Sequence, residues 1–358
     1  MCDKFYNNNI KKLNPYAPPI FEKEGIRLYM NENIFGASPK CLEVLKRIEM
    51  KNLTFYSYGK DTYIKNILIE KLNIKEENIC FNNGSASSIQ QICSALINEN
   101  DRVLVPNPGW SYYKTAILAC GGIVEEYDLD FEEKEIKFNI EKIIKKVIET
   151  KAKVLFITSP NMPTGNIISE NEVIYLLSTL KETVIVLDEA YYGFSNIKLN
   201  IEKLVAYKNF LCIRTFSKYY GLASLRVGYI LGYYKLINEL IKIAPLFGIS
   251  YIAQLIAGEA LKDDEYYFEL KSKLIEIRNY FIGEINKIQG YYAYDSKSNF
   301  ILIDVKKHNP SEIITKLKSK GYLVRDCKGY KLFHHIRITV GTIQQMNEIL
   351  NILKKFNE

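Results

Sequence analysis

Histidine is nearly absent from this chain. Three residues among 358, at positions 308, 334 and 335, are too few and too clustered for a histidine-based metal centre or a Ser-His-Asp triad, and His334-His335 is not expected to hold a metal. Arginine is scarce as well, eight of the 48 basic residues, and tryptophan occurs once, at Trp110. The seven cysteines lack any C-x-x-C spacing and lie in apolar contexts, which describes buried thiols in a reducing cytoplasm and not a disulfide framework. No apolar run reaches the length of a membrane span, the N-terminal stretch has no secretory h-region, and neither repeats nor low-complexity tracts occur. The net charge of +7 arises from Lys and Glu interspersed along helical stretches, a pattern of solvated faces and not of a nucleic-acid surface. The expectation is a cytoplasmic protein with no metal, membrane or nucleic-acid partner.

What is present is an enzyme-sized core. With 47% hydrophobic residues, the chain can bury a substantial interior and is expected to divide into two domains. Short apolar strands alternate with amphipathic stretches from about residue 60 to 250, which predicts βα units and a mainly parallel sheet. From about 255 onward the pattern turns to α+β, with a helix over 251–261 and strands over 300–305 and 336–340.

Four segments carry chemistry. Thr215-Phe216-Ser217-Lys218, with Arg226 eight residues beyond Lys218, follows an apolar strand-like run. A lysine amine condenses with a carbonyl, while hydroxyls and a planar guanidinium bind a phosphate dianion, so this segment suits a phosphorylated aldehyde. Asp188 ends the strand-like run 183–187, where an open α/β sheet places its ligands, and can pair with a protonated ring nitrogen; alternatively it caps the next turn. Tyr191, three residues on, can donate to a phenolate oxygen. Ser159-Pro160-Asn161-Met162-Pro163-Thr164-Gly165 is a rigid turn that would present the Asn161 amide to the same oxygen. Asn83-Gly84-Ser85-Ala86-Ser87-Ser88 precedes an apolar-periodic helix, whose free amides and positive dipole end suit a phosphate.

Together with Asn14-Pro15-Tyr16, the stretch 28–36, Tyr322 to Asp326 and Ile336 to Thr342, these segments resemble the class I/II aminotransferases of the fold type I pyridoxal-phosphate enzymes, and within them the histidinol-phosphate aminotransferases, along nearly the whole chain. The resemblance implies a three-layer α/β/α large domain over 38–250, a smaller α+β domain over 251–358, and an N-terminal arm, 1–37, shared between the small domain and a dimer contact. It implies pyridoxal 5'-phosphate as cofactor, held as an aldimine on Lys218, which then shuttles the proton. Asp188 would bind the pyridinium nitrogen, Asn161 and Tyr191 the phenolate oxygen, and Trp110 would stack on the ring. Ser85, Ala86, Ser87, Thr215, Ser217 and Arg226 would surround the phosphate. Tyr58, or Tyr56 in the alternative register, would cross a homodimer to the neighbouring cofactor phosphate. Arg337 would grip the substrate anion, with Asn33 and Tyr16 nearby and Arg325 either a second anion contact or a structural pair. The implied substrates are an amino donor and an oxo acid, histidinol phosphate and 2-oxoglutarate; the alternative is a threonine-phosphate decarboxylase-like lyase on the same site. The sequence departs from the pattern at Met162, where these relatives usually carry a second Asn, in the Ser85–Ser88 run, and at Gly109-Trp110.

Overall fold

The computed structural model describes residues 5–11, 13–15, 24–56, 62–306 and 308–356, so Tyr16 and Tyr58 lie outside the described residues. A seven-stranded sheet dominates the first part of the chain: β1 (Ile79–Asn82), β2 (Arg102–Asn107), β3 (Ile123–Asp128), β4 (Val154–Thr158), β5 (Val184–Asp188), β6 (Phe210–Thr215) and β7 (Gly228–Gly232). Their spatial order is β1-β7-β6-β5-β4-β2-β3, and only β7 runs antiparallel to its neighbours.

Alternate side chains of the central strands enter separate cores. Leu155, Ile157, Ile185 and Leu187 pack on one face with Val173 and Leu176 of a helix, while Val154, Phe156 and Val186 pack on the other with Ile89, Ile92 and Ile117. Strands buried on both faces read as unbroken apolar runs, the signal that marked them in the sequence. The flanking helices carry ordinary start signals. Asn139 caps the helix Ile140–Thr150, accepting from Lys142 N, and Ser169 forms a capping box with Glu172 ahead of Glu170–Thr179. The result is the mainly parallel sheet expected from the βα pattern, in the three-layer arrangement that the resemblance implies.

A second, antiparallel sheet follows the order Tyr292–Ala293, Phe300–Asp304, His335–Thr339, Arg325–Asp326. Its buried side chains, among them Phe300, Ile303, Ile336 and Ile338, share a core with Leu274, Ile277 and Phe281 of the long helix Asp264–Ile285 and with Ile349 and Leu353 of the last helix. His335 stacks on Tyr294, with ring centroids 6.0 Å apart. The helix expected at 251–261 runs Tyr251–Lys262.

The segment after Ile26–Arg27 straps the two sheets together. Leu28 N donates to Leu323 O and Thr339 N to Leu28 O, each at 2.8 Å. Asn31, held at φ 54°, gives its N–H to Thr339 Oγ1 at 3.1 Å, and Asn299 Nδ2 donates to Asn31 O at 3.1 Å. Gly221, at φ +69°, permits the close approach: a Cβ there would lie 2.9 Å from the Gly36 carbonyl carbon. The strap thereby passes over the carboxyl ends of β4, β5 and β6.

Candidate active site

A cavity of about 290 Å³ lies under the strap, where the carboxyl ends of the parallel strands meet the second sheet. Register puts Thr158 beside Asp188 at the ends of β4 and β5. Asp188 is 2% exposed and accepts from the Tyr113 hydroxyl at 2.6 Å and from Ala190 N at 3.0 Å. Burial pushes its carboxyl up to about 6, against the pull of those two donors. No cation pairs with it among the described residues, so a buried carboxylate faces the cavity lacking a positive partner.

Lys218 follows β6 and is partly buried. Its Nζ donates to Met30 O of the strap at 2.8 Å and lies 5.9 Å from the centroid of the Tyr191 ring. Burial, and then the nearby Arg337 and Arg226 guanidinia, bring the amine down to about 8, with Glu32 opposing. Only the neutral amine attacks a carbonyl. The rate at which the apoprotein captures pyridoxal phosphate is therefore expected to climb up to about pH 8 and then level off. A rate still rising steeply at pH 10, as for a lysine at its usual 10.5, would contradict this.

One end of the cavity is built for an anion. Ser85 and Ala86 open the twelve-residue helix Ser85–Leu96 and line the cavity together with Ser217 and Arg226, whose Nη2 reaches Asn83 O just ahead of that helix. Arg226 donates from Nη1 to Ala223 O at 3.0 Å and to Ser217 Oγ at 3.3 Å, and it has no carboxylate partner. Gly84, at φ +85°, is fixed by this contact, since a Cβ would stand 2.5 Å from Arg226 Nη2. Thr215 stands behind the wall: its hydroxyl accepts from Ser217 N at 3.1 Å and lies 3.0 Å from Ser217 Oγ. Ser87 turns its hydroxyl back to Asn83 O at 3.2 Å and does not line the cavity.

The opposite end carries two arginines side by side. Arg325 and Arg337 face each other across adjacent strands of the second sheet, and both line the cavity. Arg337, 3% exposed, donates to Tyr29 O at 2.8 Å and meets the Met162 thioether at 2.9 Å. The Nε of each arginine is buried without a partner, and no carboxylate among the described residues is paired with either. A guanidinium offers five N–H donors and no acceptor, so two of them side by side without a carboxylate form a place where an anion could bind.

The turn 159–165 corrects the sequence expectation. Asn161 is fully buried but faces away from the cavity: its Nδ2 donates to Thr164 Oγ1 at 2.8 Å and Pro108 O at 3.1 Å. Met162 faces the cavity instead. Asn33 likewise binds backbone, donating to Tyr219 O at 2.8 Å, while Asn31 lines the cavity and donates to the Tyr191 hydroxyl at 3.0 Å. Trp110 and Tyr191 line it as expected. Sequence reasoning missed Tyr29, Asn31, Glu32, Tyr113 and Tyr330; among 27 tyrosines nothing local singles out three of them.

The chain is similar to known proteins along nearly its whole length. The family model for aminotransferase class I and II matches residues 23–353. A histidinol-phosphate aminotransferase of Clostridium novyi (strain NT) is 33% identical over 361 residues, spanning 100% of this chain and 98% of its own. The crystal structure of a histidinol-phosphate aminotransferase from Sinorhizobium meliloti, in complex with pyridoxal-5'-phosphate, superposes with a TM-score of 0.87 at 24% identity, over 98% of this chain and 96% of that one. An L-threonine-O-3-phosphate decarboxylase from Porphyromonas gingivalis shares the fold, with a TM-score of 0.82 at 20% identity over 93% of this chain and 99% of that one.

Proposed function

We propose that this chain, which belongs to the class I and II aminotransferases, uses pyridoxal phosphate to move an amino group from histidinol phosphate to 2-oxoglutarate. The observation that carries the cofactor assignment is the spacing of unmatched charges in one cavity: an anion cradle at Ser85, Ala86, Ser217 and Arg226, an amine at Lys218, and a buried carboxylate at Asp188 without a cation. A phosphate, an aldehyde and a protonated pyridine nitrogen on one ring would satisfy all three. When bound, that ring supplies an electron sink for the bonds around the substrate carbon.

The protein's own groups do the rest. Asp188 keeps the ring nitrogen protonated, and the Tyr113 hydroxyl holds the carboxylate in place. The Lys218 amine, held near the strap at Met30, would move a proton at the substrate carbon. The Tyr191 hydroxyl accepts from Asn31, which leaves its own proton to donate to the ring's phenolate oxygen. Arg337 and Arg325 take the distal anion of each substrate in turn, the phosphate of one and a carboxylate of the other.

The same reading makes the enzyme a homodimer in which Tyr58 reaches the neighbouring cofactor phosphate. Leu42, Leu45, Met50 and Leu53 are exposed on consecutive short helices, Phe55 is exposed just past the second, and Tyr56 stacks on the exposed Phe247 at 4.0 Å, an apolar surface that suits a second copy.

Substrate selectivity tests the assignment. Removing the phosphate of histidinol phosphate leaves two guanidinia unpaired, so kcat/KM for histidinol is expected to fall about 100-fold or more. In Arg337→Gln the gap between the two substrates should narrow. Equal use of both by the wild-type protein would discard the phosphorylated substrate, and carbon dioxide release from threonine phosphate would favour the lyase.

A further inference from the structure

The wall beside Tyr191 holds a methionine where an amide was expected. The Asn161 amide cannot serve, because both its donated hydrogen bonds are spent, one on Thr164 of the same turn and one on Pro108 of a neighbouring loop. Met162 occupies the cavity face, in one apolar cluster with Tyr191, and its sulfur rests 2.9 Å from Arg337 Nη1. A thioether has no hydrogen to donate. Tyr191 is placed differently: it receives the Asn31 amide at 3.0 Å, and burial holds its hydroxyl up at about 12, so it remains a donor across the working range of pH.

We infer that Met162 leaves Tyr191 as the single side-chain donor to the phenolate oxygen of bound pyridoxal phosphate, and that the nitrogen joining Lys218 to the cofactor consequently keeps its proton to higher pH than it would with an amide at position 162. The inference rests on the cofactor assignment above. The physical step is short. The phenolate oxygen and the Lys218 nitrogen share one proton. A donor to the oxygen stabilises its negative charge and weakens its hold on that proton; a missing donor strengthens the hold. The charged and titratable groups that line the cavity with Lys218 are Arg337, Arg325, Arg226, Glu32, Asp188 and the tyrosines at 29, 113, 191 and 330; a change at 162 replaces none of them, and its one effect on a charge, loss of the sulfur contact to Arg337, is common to the Asn and Leu variants. Met162 is thus a positioning residue that tunes the site through what it does not donate.

The test is an absorbance titration of the cofactor-loaded protein, which reads the proton directly and needs no turnover. Met162→Asn is expected to move the midpoint of the visible band downward by about one pH unit, the worth of one hydrogen bond to a charged group. Met162→Leu, which packs similarly and donates nothing, should titrate with the wild type. Tyr191→Phe should raise the wild-type midpoint more than it raises that of Met162→Asn, because the amide would then share the load. Should Met162→Asn fold poorly by circular dichroism, Met162→Gln supplies the same amide. A midpoint unmoved or raised in the amide variants, or moved as far by Leu as by Asn, would overturn the inference while leaving the cofactor site standing. A wild-type protein that forms no visible band would instead fail the cofactor assignment, and the inference with it.

Discussion

Lys218→Ala is expected to give a folded protein that forms no visible band with pyridoxal phosphate and turns over at least about 10⁴-fold more slowly. Lys218 is the one lysine among the residues lining the cavity, and its Nζ is fixed by a single bond to Met30 O. Losing that bond costs little. Burial already penalises the charged amine, which is why it falls to about 8, so the melting temperature should hold or rise slightly. Separating these two readouts matters, because an inactive variant that had also unfolded would say nothing about the site. Added alkylamines should recover part of the rate in the intact cavity, where a collapsed protein would recover none.

Asp188→Asn should be the second most damaging change, and its effect should depend on whether the cofactor is bound. The side chain keeps its shape and its oxygen still accepts from Tyr113, but the charge that would hold a ring nitrogen protonated is gone. Removing one partner of a buried charge pair costs about 3–5 kcal/mol, which is two to four decades in rate if it is felt at the transition state. The apoprotein should behave in the opposite sense. Its Asp188 carboxyl is raised from 3.8 to about 6, so its contribution to stability is fully present below pH 3.8 and is lost as pH rises through 6. At pH 7 the apoprotein variant should consequently be at least as stable as the wild type, and the cofactor-loaded variant less so. Chemical denaturation of both forms at pH 5 and pH 7 checks the sign. An apo Asp188→Asn that is markedly less stable at pH 7 would show that the carboxylate already has a partner.

Much of this site could be read from the chain because strand ends are strongly constrained. Asp188 and Lys218 each follow a run of apolar residues buried on both faces, and such a run fixes where the strand stops and which edge of the sheet its end occupies. Arg226, Arg325 and Arg337 were conspicuous for a different reason: in a chain with eight arginines, three line one cavity. The turns were not legible in this way. Asn161 and Met162 are neighbours, and which of them looks into the cavity follows from the backbone path between Ser159 and Gly165 and from what Pro108 and Thr164 offer, none of it periodic. Asn31 and Asn33 exchange roles for a similar reason. Asn31 takes a positive φ and hydrogen-bonds into the second sheet through Thr339, more than 300 residues away in sequence, a contact with no local signature. Ser87 sits one residue past the Ser85-Ala86 pair that lines the cavity, and its hydroxyl turns back to Asn83 O. Helical rotation alone separates a cavity-lining position from a local hydrogen bond there.

The measurement that tests the central claim most directly is a single-turnover spectrum of the purified protein loaded with pyridoxal phosphate and mixed with histidinol phosphate in the absence of any oxo acid. The account predicts loss of the visible band in one phase, amino transfer stopping after one equivalent per site, and return of the band when 2-oxoglutarate is added. A band that persists unchanged with histidinol phosphate, or that is lost but never restored by 2-oxoglutarate, would contradict it.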